Sequence, residues 1–585
     1  MRNKIAILVI FLFFPLSLVF GQNQRIIPLS SSVYNDMDTL YLLRGLGTPS
    51  TARPWTTSEA QMILERVDAN LQNGRLQNVR FLGRQEQTLY DSIAAEIYKP
   101  LRFLSDNAFN FDVKLDIALE AYTHVNTDDY VLNGDWNYGY EERQALAKFN
   151  LEMSLYSRLY IFTDFGYNRN RLNEKDEFRN FQDLNQGIGS ESPYSALFPW
   201  KSWAYSRAFI TNIPTSLDEF DFDWPKRANF TVGGQHWNLS LARDRIQWGR
   251  GKTGNFIVDG HRDYDEYFRV SAFSDRFKYE WLNVFYDVPE AGGDSTFKFL
   301  MAHRLEFRIL PSLVFAVSEN VMCRPNNFNP RYINPAFIYH SWYDRDNLNS
   351  IAHLELDFAP FRGYRLYTQA AFDQIQAPWE NSDEPAAWGI LAGIEHARPL
   401  LSGVLSLSFE GAYTTPLMYR RDLLDFVLLG STEVNNVSHN LYFDYTGFPY
   451  GGDAIVFQFD ANYRFPCAAF IHARLFTMIH GKMNYFISHN KNGDNTGYAN
   501  LTDRTPSGGK DEKEYTFAVS LDGNYTIPQP LSWLKLRAWA ELDFICKKNK
   551  LMLSGDVTDI NEDIVYHKKG WSPDFQFVLG VGISF

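Results

Sequence analysis

The chain has 585 residues, a formal net charge of −13 at neutral pH and a mean hydropathy of −0.32. A chain this acidic has no global attraction for nucleic acid or anionic lipid. Its three cysteines, Cys323, Cys467 and Cys546, are far apart and odd in number with no C-x-x-C spacing, which excludes a disulfide framework and argues against structural zinc.

Aromatic residues make up 16%, with 33 Tyr and 47 Phe, and they run through nearly every segment instead of gathering in a few core stretches. In chain order, the first element is MRNKIAILVIFLFFPLSLVFGQ. Arg2 and Lys4 precede an apolar run over residues 5–20, and Val19-Phe20-Gly21 supplies small residues where a signal peptidase cuts. Residues 1–21 therefore read as a removable export signal, with the mature chain starting near Gln22. No Cys follows that point, so no lipid anchor is expected. Beyond it no stretch approaches the roughly 20 apolar residues of a membrane helix. Export without disulfides points to a bacterial envelope.

Residues 22–105 form the second region, where helical spacing predicts helices over 34–46, 57–71 and 84–98. Thr56 and Glu59 form a capping box for the middle helix, which runs through Met62, Ile63, Val67 and Leu71. A small helical domain in the periplasm is expected, ahead of a first strand near Phe109, with faces that serve packing.

Residues 106–585 alternate with period two. In FKFLMAHRLEFR, Phe297, Phe299, Met301, Leu305 and Phe307 share one face, while Lys298, Arg304, Glu306 and Arg308 share the other. In AHLELDF, Leu354, Leu356 and Phe358 oppose His353, Glu355 and Asp357; in WLKLRAWAELD, Leu534, Leu536 and Leu542 oppose Lys535, Arg537, Trp539, Glu541 and Asp543. The last eleven residues, FQFVLGVGISF, put Phe575, Phe577, Leu579, Val581, Ile583 and Phe585 on one face. One apolar and one charged face, roughly ten residues at a time, marks strands with lipid on one side and a polar lumen on the other. Closure is then required, since only a closed barrel satisfies every strand's backbone within lipid. Short turns at 310–312, 361–363 and 399–403 alternate with polar stretches at 171–201, 489–514 and 547–570. The fold expected is an all-β transmembrane barrel of about 18 antiparallel strands, in a Gram-negative outer membrane, with the small N-terminal α-helical domain on its periplasmic side. Phe585 closes the last lipid-facing strand, like the terminal aromatic signal read by the barrel insertion machinery.

Three stretches resemble the Wzi family of capsule assembly proteins. They are DTLYLLRGLGTPSTARPWTTSEAQMIL (38–64), ARDRIQWGRGKTGNFIVDGHRDYDEYF (242–268), and RYINPAFIYHSWYDRDNLNSIAHLELDF leading into YRLYTQAAFDQ (331–374). The resemblance implies an outer-membrane lectin that anchors capsular or other surface polysaccharide, with outer-membrane lipid, the insertion machinery and the polysaccharide export complex as partners. The stretches 171–201 and 489–514 are particular to this chain, so the glycan can differ. An outer-membrane porin or substrate-specific channel is the alternative, and it would show an open, conducting lumen.

Catalytic readings are weaker. WGRGKTG ends like a phosphate loop, but Ile246 stands where that pattern needs its first Gly and no βαβ unit surrounds it, so a glycine turn at a barrel rim is expected. Ser488 and His489 are adjacent and face opposite sides of a strand, which disfavours a hydrolase pair. Glu355 with Asp357, and Glu541 with Asp543, have glycosidase-like spacing, but parity puts Arg365 on the face of Asp357, and a paired carboxylate does not act as an acid. No catalytic residue, metal or cofactor is expected. Binding remains, by aromatic faces that stack on sugar rings and cations that meet hydroxyl or acid groups. The candidates are Trp248, Arg250 and Lys252, then Arg365 with Tyr367, and Lys535, Arg537 and Trp539 on one strand face. For each, the competing roles are a lumen charge ladder and the interfacial aromatic girdle.

Overall fold

The structure, a computed structural model, describes residues 24–72, 83–99, 104–105, 108–124, 144–169, 210–214, 220–221, 224–289, 295–323, 334, 338–339, 348–374, 386–420, 424–434, 438–466, 468–482, 504–527, 534–553 and 565–585. The export signal, the stretch 171–201 and the pair Ser488 and His489 lie outside them.

Among the described residues, eighteen long antiparallel strands close into a barrel. They are β1 (Phe109–His124), β2 (Ala147–Leu155), β3 (Leu159–Arg169), β4 (Ala228–Gly233), β5 (Trp237–Asp244) and β6 (Asp265–Phe273). Then come β7 (Phe277–Pro289), β8 (Ser295–Leu310), β9 (Leu313–Cys323), β10 (Leu348–Phe361), β11 (Tyr364–Gln374) and β12 (Ala387–Leu400). The last six are β13 (Gly403–Thr414), β14 (Ala454–Phe465), β15 (Ala469–His480), β16 (Glu514–Ile527), β17 (Lys535–Leu553) and β18 (Val565–Ser584). β18 pairs with β1, from Gln576 opposite His124 to Ser584 opposite Asp116, and this closes the ring.

The alternation orients the wall. Phe575, Leu579 and Val581 are about half exposed, whereas Gln576 and Val578 between them are buried. A wall whose outer surface is apolar strand after strand is stable only against hydrocarbon, so this is a barrel of outer-membrane type. Two-residue turns at 311–312, 362–363 and 401–402 mark one rim, and long connections such as 245–264 and 415–453 mark the other. The short-turn rim is the periplasmic one in barrels of this class.

Helices cover that rim. They are α1 (Ser32–Arg44), α2 (Thr57–Gln72) and α3 (Arg84–Ile97). α1 starts and ends two residues earlier than its periodicity predicts. The Ser31 hydroxyl caps it, and Gly45, at φ 68°, turns the chain out of it. Only half of the expected capping box forms on α2. The Thr56 hydroxyl accepts from the Glu59 N–H at 3.2 Å, but the Glu59 carboxylate takes the Lys278 ammonium of β7 at 2.6 Å instead. The helices bond directly to the turns: Gly363 N–H to Leu42 O (2.7 Å), Gly47 N–H to Pro311 O (2.9 Å), and Gln85 Nε2 to Leu401 O (3.0 Å).

Two predicted features come out differently. The glycine turn at 249–254 is not at a rim. The connection 245–264 folds into the lumen, where Gln247–Trp248 pairs with Ala52–Arg53 of the N-terminal segment. It also meets the connection 415–453: Tyr419 OH donates to Phe256 O at 2.7 Å, and Trp248, Phe256, Ile257, Met418, Phe426 and Phe448 are fully buried there. Secondly, much of the polar stretch 547–570 is strand. β17 and β18 run 19 and 20 residues, and their ladder continues to Leu553 opposite Val565. A bilayer needs only about 9–11 residues per strand, so this hairpin stands beyond the lipid, where nothing enforces alternation.

Candidate functional site: a sealed lumen and a cationic cavity

Inward positions on strands β10 to β13 carry Glu355, Asp357, Arg365, Glu395 and Glu410, and the N-terminal segment threads between them. Asp38 on α1 meets Arg53 and Arg250, each at 2.8 Å. Arg250 also pairs with Glu395, which accepts from Arg365 at 3.1 Å and lies 3.5 Å from the Lys252 ammonium. Arg365 reaches Asp357 at 3.5 Å, the pairing that strand parity predicts. Glu355, the other half of the suspected acid pair, holds Arg304 at 3.0 Å and the Thr51 hydroxyl at 2.7 Å. These charges are buried, and removing one partner would strand the others. Burial by itself would raise Asp38, but Arg250, Arg53 and Arg365 outweigh it and hold the carboxyl well below the usual range.

The Gly-Lys-Thr turn wraps an anion supplied by the protein itself. The backbone N–H groups of Lys252 and Thr253 and the Thr253 hydroxyl all donate to the Glu410 carboxylate at 2.6–3.0 Å, and Tyr367 OH donates to it at 2.6 Å. The phosphate-like nest is therefore filled. Gly254 permits the turn at φ 137°; a Cβ there would stand 2.2 Å from Pro449 Cδ.

The expected binding residues fall into two groups. Trp248 and Arg365 are 0% exposed, Tyr367 5% and Arg250 8%. Each has a polar group engaged with protein: the Trp248 Nε1 donates to Glu280 at 2.7 Å, the Tyr367 OH to Glu410, and Arg250 and Arg365 pair with Glu395. These four, expected at a glycan-binding surface, are instead buried in the seam between plug and wall. Lys252 keeps its side chain a third exposed beside Glu395. Lys535, Arg537 and Trp539 stand elsewhere, at the periplasmic end of β17 opposite Ser584, Gly582 and Gly580. The Arg537 guanidinium lies 5.0 Å from the Trp539 ring and donates to Gln144 Oε1 at 2.9 Å, while Trp539 Nε1 donates to Glu120 at 2.8 Å.

Arg537 lines a cavity of about 350 Å³ between the N-terminal segment and strands β1 to β3. Its other cations are Arg25, Lys99, Lys114, Lys148 and Arg227, against three carboxylates, Glu96, Asp116 and Glu152. Lys114 and Lys148 occupy inward positions of β1 and β2 and were legible by parity alone. Arg25 and Lys99 lie outside regular strands and carry no periodic signal. Among the described residues, no group of three or more His, Cys, Asp or Glu side chains is placed to hold a metal ion.

No protein-family model and no curated protein matches the sequence. Among solved structures the chain is similar to Wzi of Escherichia coli, an outer membrane protein involved in group 1 capsule assembly and described as a carbohydrate-binding β-barrel. Identity is 12%, the alignment covers 96% of this chain and 99% of that one, and the TM-score is 0.55. It also matches OccAB4 of Acinetobacter baumannii, with 12% identity, coverage of 81% and 98% and a TM-score of 0.35. OccK3 of Pseudomonas aeruginosa follows, with 7% identity, coverage of 81% and 96% and a TM-score of 0.37. At such identities the likeness to Wzi establishes a shared barrel fold.

Proposed function

We propose that this barrel binds surface polysaccharide and retains it at the cell, without catalysing a reaction on it. The observation that carries the reading is the use of the lumen. The chain's own segments 46–56, 245–264, 415–420, 424–427 and 445–453 occupy it with buried aromatic side chains and ion pairs, an arrangement ill suited to passing a solute. What is left open is a cavity of small-molecule size lined by cations and amides, the kind of surface that meets sugar hydroxyls and acid groups. The shared fold with Wzi, a carbohydrate-binding barrel, supports the same direction.

The test is a deletion strain with a defined capsule, in which labelled polymer is measured on the cell pellet and in the medium. Polymer moving to the medium at unchanged total synthesis is expected. Polymer staying on the cells would overturn the reading, and the channel alternative would then take its place.

A further inference from the structure

The cavity's carboxylates are already committed. Glu152 is shared by Arg25, at 3.0 Å, and Lys114, and Glu96 lies 3.9 Å from Arg25. Lys148 pairs with Asp164 and Arg227 with Asp244, each at 2.7 Å. Asp116 accepts from the Asn150 amide at 2.8 Å. Two of its lining cations, Lys99 and Arg537, are left over, and the exposed Lys535 stands two residues from Arg537 on β17. Among the described residues, Lys99, Lys535 and Arg537 have no carboxylate within ion-pair distance. Arg537 spends one N–H on the neutral Gln144 amide, and its buried Nε has no hydrogen-bond partner at all.

The three share one corner. Lys535 and Arg537 are two residues apart on the inward face of β17, about 6.6 Å along the strand. Lys99 follows α3: burial, and after it the charge of Lys535, push its ammonium below the ordinary lysine range, with Glu96 acting against the shift and Lys114 and Arg25 adding to it. A barrel gains nothing in stability by gathering like charges here, and the partly buried Lys99 and the buried Nε of Arg537 cost free energy while unpaired, with the exposed Lys535 adding to the positive field at the cavity's edge. An anion entering the corner would offset all three at once.

We propose that this corner is an anion-binding site for a carboxylate- or phosphate-bearing group, and that its ligand is the acid group of an acidic glycan. The choice of glycan rests on the polysaccharide reading above; the anion site itself rests on the unpaired cations. The group would lie between the Lys99 and Lys535 ammonium groups, with the free Arg537 N–H directed at it, in the charge-assisted geometry that guanidinium favours. The site faces the periplasmic rim, so an acidic polymer would be met as it arrives from the inside of the membrane.

The test uses the full-length protein in detergent, titrated by calorimetry with a tetramer of galacturonic acid, with its carboxyl-reduced neutral counterpart, and with inorganic phosphate. The acidic tetramer is expected to bind at least about tenfold more tightly than the reduced one, with affinity falling as salt is added. The double variant Lys99→Gln, Lys535→Gln is expected to lose about tenfold, and Lys99→Arg, Lys535→Arg to keep the affinity. Heat-modifiable gel mobility of each variant confirms that the barrel is folded. Phosphate displacing the tetramer at comparable affinity would uphold the anion site and make a free phosphate its ligand. Equal binding of acidic and neutral tetramers would overturn the site while leaving glycan binding intact, and so would Gln variants that bind like wild type. If the deletion strain retains its capsule but the tetramer still binds through these lysines, the polysaccharide reading falls and the anion site stands.

Discussion

Asp38 sits between the Arg53 and Arg250 guanidinium groups, and Arg365 acts on it from β11. Replacing it by Asn leaves buried cations without their counter-charge, which costs about 3 kcal/mol by comparison with other broken buried pairs. Asp38→Asn is expected to lower the urea midpoint of the N-terminal segment accordingly. The pH dependence follows from the same cluster. The folded-state value is depressed, so the contribution of Asp38 is complete above the ordinary carboxylate value of about 3.9 and is lost as pH falls below it. Hydrogen-exchange protection factors at residues 38–56, with the intrinsic pH dependence divided out, should be unchanged between pH 7 and 5 and smaller at pH 3. Protection that persists at pH 3 would refute this. The sequence exposes only part of this cluster: parity alone predicts Asp357 beside Arg365, because the two stand on adjacent strands. Arg250 meeting Glu395, 145 residues away, depends on a loop folding inward, which no local pattern encodes.

Strands β7, β8 and β9 carry an exception to their alternation. Trp281 and Glu319 flank His303 across the ladder, on the outward face that is elsewhere apolar. His303 lies 3.2 Å from Glu319, and Tyr339, from the connection after β9, covers the pair. Its ring stacks on His303 with centroids 4.6 Å apart, its N–H donates to Glu319 at 2.8 Å, and its OH accepts from Trp281 Nε1 at 3.3 Å. Tyr339 therefore lies against the outside of the wall, where it takes polar groups away from lipid. Tyr339→Ala should destabilise the barrel by about 2 kcal/mol, since it bares a hydrogen-bonded polar pair to hydrocarbon. In a His303→Leu, Glu319→Leu background the same change should cost much less. Equal costs in the two backgrounds, read from denaturant titrations of gel mobility, would show that the cover has another purpose. In FKFLMAHRLEFR the gap at His303 is visible, but the residue that fills it lies 36 positions on, in a stretch without periodicity.

At the scale of the molecule, the barrel wall and the plug obey different rules. Each outward side chain answers to lipid, while inward ones answer to particular partners from three inserted segments. A lumen filled in this way should not conduct. Purified protein in planar bilayers is expected to give no stable ohmic steps; steps of porin size in wild type would contradict the plug. Gly254→Ala, which drives a Cβ into Pro449, should loosen the contact between the two inserted connections and produce intermittent opening.

Alternation, turn spacing and aromatic content settled the barrel, its strand directions and its near strand number from sequence alone, because a bilayer imposes the same demand on every strand and so writes a repeating signal. The helices were equally plain, since their period and caps are local. Where the candidate residues would go was a different matter. Trp248, Arg250, Arg365 and Tyr367 have the composition of a sugar site, and only the inward course of 245–264 turned them into a seal. The cationic corner joins Lys99, from beyond a helix, to Lys535 and Arg537, from a strand more than four hundred residues later. Tertiary structure decided that meeting, because closing β18 onto β1 brings the two ends of the chain together.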